Sequence, residues 1–430
     1  MGHFFPLHVG CFHLGRTCLF LLTCAVLFLI GSRSPATAAT EYEAPEPRTI
    51  EDALPLELRD VPHGRIEEPV QHDGYMHSYT VDTDFGVYLA HGDTMYRRLR
   101  RELVAIADLR ARYAPKVAVE SAVKVVIKPI HAVGRLASDP LDTLAGMPRG
   151  VYRLLESSIA GMSRESSQYE DSDFKNLVQV AAYKRRIAAH YDVDVYSSNP
   201  ILQLELDRVA WASLAGYTTT FAMLLVPIPN VLPLALVSLN SVEVLNRVLE
   251  ERGPDDLRVL NRRQLREMGI KDDLAEKFLD HPYYSPRHQT IIVACLGTLS
   301  EAKRLDRFLT VALNALSEEE AFFYQQAAEL LQAYNRDESP LVEITIFGRI
   351  PLGRTKERSV VFPAPIDYAV WTDKTESVVN RLVSAIRHRK RSTRIEMRIA
   401  GSLSPRVRQE LRDRRIVAKE HMQSEMQLAD

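Results

Sequence analysis

The chain has 430 residues, 46% of them hydrophobic and 26% charged, a globular balance that excludes a largely disordered or low-complexity protein and allows two or three domains. Its formal net charge of −2 offers no electrostatic footprint for nucleic acid, which is not expected as a partner.

The chain opens on an export pattern. Met1–Arg16 holds no acidic residue and ends on a cation, Thr17–Gly31 is uncharged and mostly apolar, and Ser32–Ala38 closes on Ala36-Thr37-Ala38. This order belongs to a secretory signal peptide (residues 1–38), expected to be cleaved after Ala38. The apolar run is 15 residues long, short of the roughly 20 that a membrane-spanning helix needs. Cys24 lies inside that run behind Leu21-Leu22-Thr23, which excludes a lipoprotein. With Cys11, Cys18 and Cys24 gone, Cys295 is the one thiol left, so no internal disulfide can form. Cys295 sits in IIVACLGTL and is expected to be an inert core thiol.

Residues 39–72 are rich in Pro and Glu and predict a linker or extended arm. Two short strands are expected between Tyr75 and Ala90, around an Asp-Thr-Asp-Phe-Gly turn. A helix follows over Thr94–Arg112, with Leu99, Leu103, Ile106 and Leu109 on one face. In Lys116–Leu136, Lys116, Glu120, Lys124, Lys128, His131 and Arg135 recur every three or four residues among Val, Ile and Ala. That narrow, mostly basic stripe fits either a helix lying in a membrane interface or one buried on three sides of a bundle. Ala212–Val242 has no charge in 31 positions, but Pro227, Pro229 and Pro233 divide it. A buried helical hairpin is expected there, with a membrane-inserting hairpin as the alternative.

Successive helices are expected over Glu243–Asn335, punctuated by Gly253-Pro254-Asp255, Gly269, a Ser285-Pro286 start and a Ser317/Glu320 capping box. Past residue 338 the pattern changes. Ile344–Ile350 and Arg358–Ala364 read as a hairpin. Tyr368–Thr372, Ile395–Ala400 and Arg415–Glu420 read as further strands separated by helices. The fold class is therefore α+β: a mainly helical domain over 73–338 that begins with a β-hairpin, then a small α/β domain over 339–430.

Chemistry-bearing motifs are few. Gly348-x4-Gly353-Arg354-Thr355 imitates a phosphate loop, yet it lacks the lysine and Pro351 removes an N–H. No GxSxG, CxxC, GxGxxG or EF-hand pattern occurs, no catalytic residue can be assigned and no cofactor is expected. Two places could hold a small anion. One is the turn His281–Gln289, where Ser285 would cap a helix and gather Tyr284, Arg287 and His288 at its positive end. The other is the strand ends of the α/β unit, with Asp373, Lys374, Ser402, Ser404 and Arg406. There Asp373 and Ser404 could equally be plain helix caps. His63, His72, His77 and His91 lie among Asp73, Asp82 and Asp84 without ligand spacing, so surface histidines are expected and no metal. Arg381–Glu420 carries 13 Lys or Arg against 4 Asp or Glu, a basic stretch that could meet anionic lipid.

These features predict an exported protein, extracytoplasmic and most simply periplasmic, that acts as a structural or interaction protein at or near a membrane surface. A membrane surface or an envelope protein is then the expected partner, and the sequence leaves the oligomeric state open. The alternative is an extracytoplasmic enzyme or anionic-ligand binder that uses the α/β domain.

Overall fold

The computed structural model describes residues 42–113, 171–214, 242–388 and 393–425. The export segment, the basic stripe over 116–136 and nearly all of the uncharged segment over 212–242 lie outside them. Contacts divide the chain at Glu43/Ala44, and every element named here belongs to the second part. Helices and several sheets combine in the α+β fold that the sequence predicts.

The segment expected to be a linker is built into the structure. It forms α1 (Ile50–Ala53), α2 (Leu56–Arg59), β1 (Gly64–Ile66) and β2 (Gln71–His72), with Leu54, Val61 and Val70 buried. Its sparse apolar residues are enough because each meets β3 (His77–Thr83) or its surroundings, and Arg48 and Val70 exchange backbone hydrogen bonds. β3 pairs with β1 and β2 on one side and with β4 (Gly86–His91) on the other, all antiparallel. Period-two alternation turns His77, Tyr79 and Val81 inward. They meet Tyr96, Leu99 and Leu103 of α3 (Asp93–Tyr113).

The far half of α3 buries Ile106 and Leu109 against α4 (Asp171–His190) and α5 (Pro200–Leu214). Then come α6 (Val242–Glu251), α7 (Pro254–Glu267), α8 (Asp272–Leu279), α9 (Pro286–Thr298), α10 (Asp306–Ala312) and α11 (Glu318–Asp337). They share a core centred on α9, whose residues Ile291–Leu296 are all buried. Cys295 is among them, and burial pushes its thiol up, as an inert core cysteine requires. The expected punctuation is present. Pro254 and Pro286 start helices, Gly269 stops α7 with φ 76°, and Ser317 accepts from the Glu320 N–H at 3.2 Å.

Among the described residues the C-terminal sheet has five strands. β5 (Leu341–Phe347), β6 (Ile350–Thr355) and β7 (Val360–Ala364) form an antiparallel meander. The expected hairpin is thus three strands, because Gly348 at φ 57° already turns the chain before Ile350. The phosphate-loop imitation is therefore a hairpin turn and its second strand. β7, β9 (Ile395–Ile399) and β11 (Ile416–Lys419) run parallel, linked through α12 (Asp373–Arg387) and α13 (Pro405–Asp413). Beyond the ends of β7 and β9 the chain forms a separate parallel pair, β8 (Tyr368–Ala369) with β10 (Ser402–Leu403). Gly401 makes this crossing possible, since a Cβ there would stand 1.9 Å from the Asp367 carbonyl oxygen.

Candidate functional site

The loop between β7 and β8 is bound to the N-terminal strands by a buried polar cluster. The Asp367 carboxylate accepts the backbone N–H of His77 at 2.9 Å and that of Asp93 at 3.1 Å. Asp93 in turn accepts the His77 Nδ1–H at 2.8 Å and the Tyr79 hydroxyl at 2.5 Å. Next to it, His72 donates from Nε2 to the Tyr368 carbonyl at 2.8 Å, and the His72 and His77 rings lie 5.4 Å apart. Burial, then the neighbouring Asp93 charge, raises Asp367 well above the usual carboxylate range. Burial also pushes the Tyr79 phenol far up and the His72 imidazole down.

This corrects the expectation of surface histidines: His72 and His77 are 9% and 3% exposed. They are inside because strand pairing directs them toward a loop nearly three hundred residues away in sequence. His77, Asp93 and Asp367 offer ligand atoms within 4.8 Å of one another, a donor set that suits a divalent transition cation. His77 Nδ1, Asp93 Oδ1 and both Asp367 carboxylate oxygens are already committed to hydrogen bonds, whereas His77 Nε2 is buried without a partner; the cluster as it stands is a polar clamp.

One face of the clamp borders an apolar cavity of about 290 Å³. Its apolar wall comes from the sheet (Phe362, Met397, Ile399), from α12 and α13 (Val378, Val379, Val407) and from Phe322 and Phe323 of α11. Its polar side chains come mostly from the N-terminal strands and the starts of α3 and α11, among them Asp73, Tyr75, Ser78, His91, Thr94 and Glu320. Ser78 and His91 face each other across the β3–β4 ladder, Oγ to Nδ1 at 3.0 Å. Burial pushes the Glu320 carboxyl up to about 7 against the pull of Arg349.

The anion-site candidates fall in different places. Thr372, not Asp373, caps α12, accepting the Thr375 N–H at 3.1 Å. Asp373 is exposed in the first turn and Lys374 is next to it. Ser404 caps α13 through the Val407 N–H at 3.1 Å and is buried, whereas Ser402 belongs to β10. Arg406 is exposed and pairs with Glu410 at 2.6 Å. None of these five lines the apolar cavity; the strand ends it does use are Asp367, Ala369, Ala400 and Leu403. In the other turn, Ser285 caps α9 as expected, and the buried Tyr284 hydroxyl donates to the Ala312 carbonyl at 2.8 Å. Arg287 and His288 follow in the first turn of α9.

His288 is 2% exposed, and neither ring nitrogen has a hydrogen-bond partner. Burial lowers it to about 4. A folded-state value below the ordinary 6.5 gives stability that is complete above that pH and is lost as pH falls toward 4. The shift corresponds to about 3 kcal/mol. Urea unfolding at neutral pH and near pH 4 should therefore show His288→Leu losing less stability on acidification than the parent chain. Equal losses would mean that the imidazole is not buried as a neutral group.

Sequence reasoning set His77 aside as a surface histidine and passed over Tyr79, Asp93 and Asp367. Alternation over β3 places His77 on the face of Tyr79 and Val81, and that was the available signal. Asp367 carried none, because its role comes from partners far away in sequence. No known protein family, curated protein or solved structure matches this chain. What fold and site define is a class: an α+β protein with an apolar cavity beside a buried polar clamp.

Proposed function

We propose that the protein is an exported binder of an amphipathic small molecule, acting at or near a membrane surface. The observation that supports this best is the cavity of about 290 Å³, apolar over most of its wall with a few polar groups converging on it. That is the usual construction of a small-molecule site. An acyl or comparable apolar chain fits against Phe362, Met397, Ile399 and Val379, while Tyr75, Ser78, His91 and Thr94 give the wall its polar side. The signal pattern, the basic stripe over Lys116–Leu136 and the basic stretch over Arg381–Glu420 agree with work near lipid. Among the described residues no helix is long and apolar enough to cross a membrane. Titration of the full chain with a dansyl-labelled fatty acid should give saturable fluorescence enhancement. Val378→Trp, which fills the cavity, should weaken it by roughly tenfold or more, as loss of a few buried methylenes does. No saturation, or an unchanged affinity in the variant, would remove the reading.

A second reading rests on the Ser78–His91 pair. A serine hydroxyl within hydrogen-bond reach of an imidazole on a cavity wall can be activated as a nucleophile for acyl transfer. A fluorophosphonate probe should then label the parent chain and spare Ser78→Ala. Labelling of neither leaves Ser78 as a polar wall residue.

A further inference from the structure

Behind the first turn of α9 lies a second cavity, of about 410 Å³, bounded by α3, α4 and the loop after it, α6, α9 and α11. Unlike the first it is lined by charged and polar groups, Arg98, Arg101, Arg185 and Arg287 among them. Most of the opposing acids are already engaged. Arg98 lies between Glu102 at 3.2 Å, Glu318 at 3.2 Å and Asp194 at 3.6 Å, and Arg101 approaches Asp192 at 4.0 Å.

Three donor-capable groups on the wall are not satisfied, beside one acceptor, the Gln325 Oε1 of α11. Arg185 Nε on α4, the Tyr196 hydroxyl on the α4–α5 loop and both ring nitrogens of His288 are buried without a hydrogen-bond partner. Buried polar groups in native proteins are paired with very few exceptions. Three from separate elements around one cavity imply that its occupant pairs them. All three can donate. The Arg185 guanidinium is held below its ordinary range by burial, which marks a cation short of counter-charge. The positive end of α9 adds to the same field. Glu250 of α6 also lines the cavity and restricts it to a compact anion.

We propose that this cavity binds one compact oxyanion, a phosphate or carboxylate group, held by Arg185, Tyr196 and His288 at the start of α9. It would be a second ligand site, apart from the apolar cavity, and it uses the turn that the sequence singled out.

The test is thermal unfolding of the full chain in sodium phosphate or sodium acetate titrations, with ionic strength held constant by sodium chloride. One or both anions should raise the transition temperature saturably. Arg185→Met should weaken that response by roughly tenfold or more, the scale of a lost charge-assisted contact, and Tyr196→Phe should weaken it by a smaller factor. Arg412→Met, on the exposed side of α13, should respond like the parent chain. A response to phosphate alone identifies a phosphoryl ligand and a response to acetate alone a carboxylate. If neither anion stabilises the protein saturably, the proposal is overturned. It is equally overturned if Tyr196→Phe, and Arg185→Met where it folds, keep the full response.

Discussion

Arg98→Met is expected to destabilise the protein by about 3–5 kcal/mol, the range found when one partner of a buried ion pair is removed. Arg98 is 9% exposed and holds three carboxylates from three elements: Glu102 of its own helix, Asp194 of the α4–α5 loop and Glu318 at the start of α11. Glu102, 4% exposed, also accepts from the Ser197 hydroxyl at 2.6 Å and the Asn199 amide at 2.9 Å. Methionine keeps the aliphatic bulk and removes only the charge. Three neighbouring carboxylates are then left without their shared cation, and mutual repulsion adds to the desolvation already incurred. Urea unfolding should show the midpoint fall with little change in slope. Arg98→Met with Glu102→Gln should recover part of the loss, because one of the uncompensated charges is gone. A cost under about 1 kcal/mol, typical of solvated surface pairs, would mean that water reaches the network.

Asp367→Ala is the second large effect, about 3 kcal/mol in acid. Its carboxylate is the acceptor for two backbone N–H groups, those of His77 and Asp93, and alanine leaves both unpaired at roughly 1–3 kcal/mol each. An opposing contribution grows with pH. Because burial and Asp93 raise Asp367 above its ordinary 3.8, ionising it in the folded chain is unfavourable. Its stabilising share is complete below about pH 4 and declines as pH rises. The alanine variant should therefore suffer most in acid and least at alkaline pH, which chemical denaturation across pH can establish. A cost that increases with pH would instead point to a carboxylate stabilised in its ionised form, as a bound cation would produce. The same series thus separates a polar clamp from a metal centre at His77, Asp93 and Asp367.

Local signals in the sequence were enough for many elements. Ser285-Pro286, Ser317/Glu320 and Gly253-Pro254 mark helix starts because capping and proline geometry act within one turn of chain. Leu99, Leu103, Ile106 and Leu109 lie on one face of α3 because helical period is a local property. The α+β class followed from the change of period after residue 338. Elements whose identity depends on distant partners were less legible. The Pro/Glu-rich stretch over 39–72 looked like a linker, since α1, α2 and β1 are too short to carry a pattern. From Arg48 onward it is ordered by what it packs on, not by its own propensity. Tyr368–Thr372 was read as a further strand of the α/β unit; the strand is Tyr368–Ala369 and it pairs with β10, where Gly401 passes close to Asp367.

The sequence by itself determined where most helices begin and which faces of them are apolar. Tertiary structure alone decided the sites. Ser78 and His91 meet through strand register, Asp367 reaches His77 and Asp93 across most of the chain, and Arg185, Tyr196 and His288 share one cavity from three elements. Cavities and buried polar clusters are made between elements, by packing and by desolvation. Neither leaves a periodic trace in the residues that compose them, because every partner is supplied by a segment far away in sequence.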